Sequence, residues 1–494
     1  MPFLDDDIVD LRRDNGTSWQ YYWGDPLERV PAKDSAKAMW VRMIGRTGRV
    51  DEGFIKKGAK LRDKPVTRFS MIDVQQGDGM ILETAGGKVI FIDAGEIKLF
   101  ARHAAARYPE TSEAKPLIVD AVIVTHGDAD HFAGLMELHR SETHGDPAKR
   151  IFVAARRIYH NGLVKRPGKL PNKKSRPDTE MFGKTATSDG RLYVTGLVDD
   201  PRDAPEAERN EHFADWCRLL DLWAARLQAA TGETMEVRRI DHLATDAFDF
   251  LKGEGISVDL FGPVTETIGG KPALEFLRSP KKDVSIILGS TPAERGSFSA
   301  SHTVNGHSIN FRLRQGNVRF LFTGDMNQES MQRMREQLPD LALRSEILKT
   351  PHHGSADFDY TFLQEVGPVV SLVSSGDESA RHEHIHPRAT LMAALGRASR
   401  QMPAVLFSTE LAAFFAYRGT SIDQRVSKGQ RPVYEGFERT NYGVIHVRTD
   451  GERVLAFTHS GKKGLNEAYR FQVSTTGEVS FAAEAKQLSA PPKG

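Results

Sequence analysis

The sequence has almost no cysteine, no long apolar run and almost no net charge. Its one cysteine in 494 residues, Cys217, excludes an intramolecular disulfide framework and a cysteine-based zinc ribbon. Acidic and basic residues nearly balance, with a formal net charge of +1, so no global field indicates a nucleic acid or a membrane partner. No apolar run approaches the length needed to span a bilayer, and the acidic N-terminus MPFLDDDIVDLRRDNG lacks the apolar core of a secretory signal. We therefore expect a soluble, cytoplasmic protein in which any metal site is built from histidine and carboxylate side chains.

Metal-ligating side chains are concentrated in the stretch THGDADHF, which follows the apolar run AVIV. It places four such residues at the end of a predicted buried strand: His126, Asp128, Asp130 and His131. Alternate side chains of an extended segment share a face, and a turn at Asp130 brings His131 round to that face. Carboxylates this close repel one another unless cations lie between them. The spacing favours a site for two divalent ions, and a solvated charged loop is the alternative.

This stretch resembles the H-x-H-x-D-H motif of the metallo-β-lactamase fold, in the H-x-D-x-D-H variant that looks like the hydrolase domain of ComEC-type competence proteins. Four further stretches match that subfamily in order: FSMIDVQQGDGMILETAGGKVIFIDAG from Phe69, NGHSINFRL from Asn305, FLFTGD from Phe320 and ILKTPHHGS from Ile347. The resemblance implies an α/β fold, the layered αββα sandwich, and a metal-dependent hydrolase. In the competence proteins the corresponding domain is attached to a membrane channel, which this sequence does not contain.

Three regions of the chain differ in pattern. Residues 1–66 alternate short aromatic and charged segments with glycines, which predicts a small β-rich N-terminal extension. The metallo-β-lactamase-fold domain is predicted to span 67–483, with strands at RFSMIDV, GMILETA and KVIFIDAG and a helix at EIKLFARHAAARY. The tail, 484–494, is predicted to be disordered.

An insertion of about 161–290 interrupts the predicted domain. Its second part carries an apolar stripe at helical spacing, which we interpret as a lid packed on the core: Phe213, Trp216, Leu219, Leu220, Trp223 and Leu227. Its first part, GLVKRPGKLPNKKSRP, predicts a mobile basic loop that holds Lys165, Arg166, Lys169, Lys173, Lys174 and Arg176. Beside a metal cleft such a loop can bind a phosphate backbone, and a solvated charge run is the alternative.

Further metal ligands follow from the resemblance. Asp325, which ends FLFTGD, is expected to bridge both ions, and one of His352 and His353 is expected to complete the second metal site beside Asp130 and His131. Many members of the fold have a histidine three residues before the serine that is Ser308 here, and Asn305 holds that place. Asparagine is a poor zinc ligand, and its oxygen, like that of Asp128, favours manganese over zinc. We expect two divalent ions, zinc or manganese, with manganese preferred.

Other candidates surround this ligand set. Asp78, in QQGDGM, is a candidate to orient the attacking water, and with Asp93 it frames the metal pocket in the resemblance; turn-forming aspartates are the alternative. His386, before a proline, is a candidate proton donor or phosphate contact, or else a surface histidine. The predicted substrate-binding residues are Asn305, Ser308, Lys349 and Ser355.

The function predicted from the sequence is hydrolysis of a phosphodiester by a metal-activated water, with catalytic roles for Asp130, Asp78 and His386. DNA or RNA is the leading substrate class because the motifs look like the competence-protein domain. A second interpretation is hydrolysis of a smaller ester, such as a nucleotide, a phosphorylcholine-type ester or a lactone. A third is a non-catalytic binding protein on the same fold, against which the intact ligand set argues. The sequence determines neither the substrate nor the oligomeric state.

Overall fold

The computed structural model describes residues 1–45, 48, 50–280, 295–339, 342–376, 386–411, 414–422, 430–436, 440–441, 443–459 and 466–482. The predicted tail, 484–494, lies outside these residues. Within them, no helix is both long enough and apolar enough to cross a membrane.

Two β-sheets form the centre of the molecule. In spatial order, the ten-stranded sheet consists of Glu236–Arg239, Arg157–His160, Ala121–Ile123, Val89–Ala94, Gly79–Glu83, Thr67–Met71, Val444–Thr449, Arg453–His459, Ala468–Val473 and Val479–Phe481. The six-stranded sheet consists of Ile256–Gly262, Asn310–Gln315, Val318–Phe322, Ile347–Lys349, Val370–Val373 and Val405–Ser408. Their facing apolar side chains form one buried core, with Phe69 and Ile90 on one side and Phe311 and Ile347 on the other.

Helices cover the outer face of each sheet. The ten-stranded sheet packs against helices Leu99–Arg107, Ala129–Ser141 and Glu211–Thr231. The six-stranded sheet packs against helices Gln328–Gln337, Tyr360–Val366 and Ala389–Ala398. Each helix buries one apolar stripe against a sheet and the two sheets pack face to face, which gives the αββα layers and confirms the α/β fold class.

The helix Glu211–Thr231 carries the predicted apolar stripe. The side chain of Asn210 caps its first turn by accepting a hydrogen bond from Phe213 N at 3.0 Å, and Gly232 ends it in the left-handed conformation. Phe213 and Trp216 pack against Phe132, at ring-centroid distances of 5.0 and 5.3 Å. The apolar stripe therefore packs on the core, as predicted, in the outer helical layer, and a role of this helix as a lid stays a prediction.

The first 66 residues build their own β-structure. A five-stranded sheet has the order Ser18–Tyr22, Ile8–Arg12, Val50–Lys56, Ala38–Ile44 and Leu27–Arg29, and Phe3–Leu4 pairs with Leu61–Arg62. This sheet docks on the ten-stranded sheet, where the rings of Tyr22 and Phe457 stack at 3.8 Å and the buried Arg448 guanidinium lies 2.7 Å from Asp25. The extension and the core therefore share a buried interface.

The region 161–290 is divided between the core and additional structure. The strands Glu236–Arg239 and Ile256–Gly262 belong to the two core sheets. The additional structure includes a four-stranded sheet in the order Thr185–Ser188, Arg191–Val194, Lys271–Glu275 and Glu266–Ile268.

Four further strand pairs of the described chain lie outside these sheets. They are Leu117–Val119 with Val153–Ala155, Arg278–Pro280 with Arg295–Phe298, Glu410–Leu411 with Thr440–Asn441, and Phe414–Ile422 with Gln430–Gly436.

Candidate metal centre

The ligand motifs meet where strands of the two sheets end. Ala121–Ile123 runs parallel to Val89–Ala94, and Val318–Phe322 runs parallel to Ile347–Lys349. The carboxyl ends of parallel strands lie at one edge of a sheet, which is where open α/β sheets bind ligands. Helix Ala129–Ser141 begins within the THGDADHF motif that follows the first strand, and it carries His131 in its first turn. Local chain geometry therefore brings the THGDADHF side chains together.

Four imidazoles converge on one carboxylate oxygen. The Nε2 atoms of four histidines lie 3.1, 3.3, 3.8 and 4.0 Å from Asp325 Oδ2, in the order His353, His131, His352 and His126. The carboxylate is buried, and the Nε2 atoms of His131 and His353 are only 3.3 Å apart. Imidazole nitrogens and a carboxylate oxygen that face one point in this way match the ligand set of a divalent cation.

Carboxylates behind two of the rings fix which nitrogen faces the centre. Asp93 Oδ2 lies 2.8 Å from His131 Nδ1, and Asp93 also accepts hydrogen bonds from the backbone N and the hydroxyl of Thr125. Asp78 Oδ1 lies 3.4 Å from His353 Nδ1. A carboxylate on Nδ1 keeps the proton there, so that Nε2 presents its lone pair to a cation.

Four buried side chains of the centre lie close enough together to bind one ion. Asp78, His131, Asp325 and His353 are all buried and offer ligand atoms within 4.8 Å of one another. Asp130 approaches the same group from the cavity side, where its Oδ2 lies 3.6 Å from His353 Nε2. Asp78 Oδ2 is in contact with the Lys349 ammonium, so Asp130 is better placed than Asp78 to face a cation.

The turn Pro351–Gly354 holds its two histidines in an unusual conformation. The φ angles are 46° for His352 and 50° for His353, in the left-handed region that non-glycine residues rarely adopt. Such a conformation costs about 1–3 kcal/mol per residue and persists where the surroundings impose it, most often at functional sites. Here it directs both rings towards Asp325.

A second group of ligands lies beside the first. One end of the Asn305 amide is 3.0 Å from Asp128 Oδ2 and 3.3 Å from His126 Nε2, and its other end is 3.4 Å from His352 Nε2. Two arrangements satisfy the two acceptors: the amide NH₂ donates to them, or a cation lies between them and the amide oxygen. Asn305 therefore contacts the predicted ligands without being a strong ligand itself.

The buried groups of the centre influence one another's protonation strongly. Burial raises the pKa of Asp325, but His353 and His131 outweigh it and hold that pKa well below its usual range. Burial lowers the pKa of His353, but Asp325 and Asp78 raise it to about 10. Burial, helped by His131, lowers the pKa of His126 well below its usual value. Protons and a divalent cation therefore compete for the same ligand atoms.

The centre opens into a cavity of about 150 Å³. Its lining is mostly polar: Gln76, Asp128, Asp130, Ser301, Asn305, Asp325, His352, His353, Ser375, Gly376 and His386. The His386 ring lies 5.9 Å from that of His352. His386 therefore lies where it could contact a substrate, and its role as a proton donor or phosphate contact stays a prediction.

The structure contradicts the predicted roles of Lys349 and Asp78. Lys349 is 1% exposed, its ammonium contacts Asp78 and it donates to Gly324 O at 2.9 Å, so it is closed to an anionic substrate. Asp78 is fully buried behind His353 and does not reach the cavity, so it positions His353 and does not orient water. The glycine before it, Gly77, lets Asp78 lie close to the THGDADHF motif. Gly77 has a φ of +102°, and a Cβ atom at this position would lie only 1.8 Å from Asp130 O.

Two predicted substrate-binding serines are also used inside the fold. Ser308 is fully buried, donates to Asn305 O at 2.7 Å and accepts from Asp325 N at 3.0 Å. Ser355 N donates to His352 O at 2.7 Å, and its hydroxyl accepts from Asp357 N at 3.2 Å. Both serines therefore stabilise the loops that carry the ligands. The fully buried Ser308 cannot bind substrate, so that prediction is wrong, whereas Ser355 is only half-buried and its predicted substrate contact stays a prediction.

Sequence reasoning missed the part played by one residue of the basic loop. Lys165 Nζ lies 2.7 Å from Asp128 Oδ1, whereas the neighbouring Arg166 pairs with Glu208 at 2.6 Å. The side chains of Lys169, Lys173 and Lys174 are exposed. No local signal separates Lys165 from the other five cations, because its partner lies 37 residues away.

Residues 72–165 match the sequence model of the Metallo-beta-lactamase superfamily. No curated protein matches the sequence significantly. One similar solved structure is a proposed zinc-dependent hydrolase of this superfamily from Thermotoga maritima, with 8% identity, a TM-score of 0.21, and coverage of 64% of this chain and 79% of that one.

A second similar structure is a variant of the CmlA β-hydroxylase, with 11% identity, a TM-score of 0.24, and coverage of 64% of this chain and 48% of that one. The chain thus spans about half of the hydroxylase. The matched residues 72–165 include His126, Asp128, Asp130 and His131, and the chain contains a metallo-β-lactamase superfamily domain.

Proposed function

We propose that this chain is a metal-dependent hydrolase of phosphodiester bonds, with DNA or RNA as its substrate. The observation that supports the proposal best is the convergence of four imidazole Nε2 atoms on Asp325 Oδ2. A carboxylate behind each of His131 and His353 is typical of histidines that bind a metal, and a hydrogen-bond network without a metal does not require it. The chemistry of these ligands suits two divalent ions.

The residues divide into two positions that share Asp325. The second position would be held by Asp130, His131 and His353, and the first by His126, Asp128 and His352 with Asn305 beside them. When bound, divalent ions supply Lewis-acid chemistry: they make a coordinated water acidic and neutralise charge on the attacked phosphoryl group. The oxygen ligands of the first position favour manganese.

The protein's own groups would handle substrate and protons. Asp130, half-buried on the cavity side, can accept a hydrogen bond from the attacking water and orient it. His386 also lines the cavity and can give a proton to the leaving alkoxide. A covalent intermediate is not needed, because a water molecule attacks directly.

The size and charge of the surroundings favour a long anionic substrate over a small ester. A cavity of about 150 Å³ encloses little more than the reacting group, and whole-ligand pockets are usually larger, roughly 300–1,000 Å³. The rest of the substrate then extends outside, and Lys169, Lys173 and Lys174, which are exposed in the same segment as Lys165, could contact its phosphates. Helix Glu211–Thr231 packs in the outer layer and contributes no residue to the lining of the cavity.

The experiment is an activity panel with metal-stripped protein reloaded with manganese or zinc. The substrates are single-stranded DNA, single-stranded RNA, a chromogenic phosphodiester and a lactone. We expect cleavage of the nucleic acids with manganese, and its loss in Asp130→Asn but not in Asp120→Asn, whose carboxylate accepts from Val89 N away from the centre. Cleavage of the lactone alone would support the small-ester alternative, and absence of any hydrolysis with bound metal would support a binding protein.

A further inference from the structure

The carboxylate of Asp128 faces two different partners with its two oxygens. Oδ2 faces the first metal position, where it lies 3.0 Å from the Asn305 amide. Oδ1 lies 2.7 Å from the ammonium of Lys165. One ligand of the first position is therefore already paired with a positive charge supplied by the protein.

The ammonium is held in place by the segment that carries it. Lys165 O accepts a hydrogen bond from Asn210 N at 3.0 Å, at the start of helix Glu211–Thr231. The next residue, Arg166, donates from its backbone N to Met181 O at 2.9 Å and pairs with Glu208 at 2.6 Å. These contacts fix the peptide group that follows the lysine, which distinguishes it from an exposed lysine such as Lys169.

The two positions differ in their balance of charge. Around the second position lie three carboxylates and one ammonium: Asp78, Asp130, Asp325 and Lys349. Around the first lie two carboxylates, one of them shared, and one ammonium: Asp128, Asp325 and Lys165. Asp93, which lies 2.8 Å behind His131, adds a further carboxylate on the side of the second position. An ammonium on the second oxygen of a ligand opposes a cation on the first oxygen, because like charges repel strongly where little water screens them.

We propose that the two metal positions are unequal, that the second position binds its ion first and tightly, and that Lys165 keeps the first position weak. This inference rests on the proposed two-ion hydrolase. The number of bound ions then follows the free metal concentration, and the enzyme becomes fully active only when the weaker position fills. The inserted segment, which carries Lys165, is thus the part of the chain that sets this threshold.

The test is isothermal titration of the metal-free full-length protein with MnCl₂. We expect two binding steps whose dissociation constants differ by at least about tenfold, the size of effect that groups next to ligands usually have on metal affinity. In Lys165→Met the weaker step should tighten by about tenfold or more while the tighter step stays unchanged. Lys165→Arg keeps the charge and should keep the parent's two steps, and Lys169→Met, in the same loop, should be identical to the parent.

Each contrary result has a distinct meaning. Two equal steps in the parent, or a weaker step that loosens or stays the same in Lys165→Met, overturns the inference, because Lys165 would then only orient Asp128. Lys165→Gln is measured in parallel, and circular dichroism confirms that the variant compared is folded. A parent that binds no divalent ion would instead refute the proposed function itself.

Discussion

Replacing Asp93 by asparagine tests the metal centre through a residue that touches neither cavity nor substrate. Asp93 is fully buried and accepts three hydrogen bonds: from Thr125 N at 2.8 Å, from Thr125 Oγ1 at 2.6 Å and from His131 Nδ1 at 2.8 Å. In Asp93→Asn one acceptor oxygen becomes an NH₂ donor. If that group faces His131 Nδ1, the imidazole must move its proton to Nε2, the atom that would bind a cation.

The magnitude follows from the single interaction that changes. A hydrogen bond to a charged group contributes about 1.5–3 kcal/mol, which corresponds to a factor of roughly ten to one hundred in a binding constant. Loss of the partner behind a metal-binding histidine has the same usual effect, about 10–100-fold in metal affinity. We expect the tighter manganese dissociation constant to rise by this factor, with little change in the cavity.

The assay is a manganese titration of parent and variant, together with a thermal unfolding curve of each. Asp120→Asn is the matched control, because Asp120 is also buried and accepts from Val89 N at 3.0 Å, but at the other end of strand Ala121–Ile123. Asp93→Asn protein that is folded and binds manganese as tightly as the parent would refute the assignment of His131 Nε2 as a ligand.

Four further expectations follow from the same geometry. Asp325→Asn should weaken binding of both ions by at least about a hundredfold and abolish turnover, measured by metal analysis and nuclease assay; retention of both ions would contradict its bridging place. Lys349→Met leaves Asp78 buried without its cation and should lower the free energy of unfolding by about 3–5 kcal/mol in denaturant titration, with partial recovery when Asp78→Asn is added. Arg448→Met should cost a similar amount, about 3–5 kcal/mol, and make residues 1–66 sensitive to protease, because Asp25 loses its buried partner. Chelation of bound metal should lower the midpoint of thermal unfolding, because metal at one hundred times its dissociation constant stabilises the native state by about 2.7 kcal/mol. An unchanged midpoint would argue against a bound ion.

The sequence by itself determined the elements that are local. THGDADHF follows an apolar run and precedes an amphipathic helix, so the strand end, the first turn of Ala129–Ser141 and the convergence of His126 and His131 are set within a few residues. The layered α/β architecture, which the resemblance to the metallo-β-lactamase fold implied, is confirmed by the structure. Asp325 could also be found, because FLFTGD, which begins in a strand of the second sheet, matches a motif of that family.

Only the tertiary structure decided what each polar group faces. Asp78 and Lys349 looked like groups open to water and substrate, yet the fold buries them against each other, although they are far apart in the chain. His352 and His353 are adjacent in sequence, and they are distinguished by the carboxylate behind His353 and by the contact of His352 with Asn305. The contact of His131 with His353 spans 222 residues, and that of Lys165 with Asp128 spans 37. Such pairings depend on how the two sheets and the inserted segment pack against one another. Hydrophobic periodicity predicts the strands and helices of the layers, but it carries no information about which polar atoms come into contact.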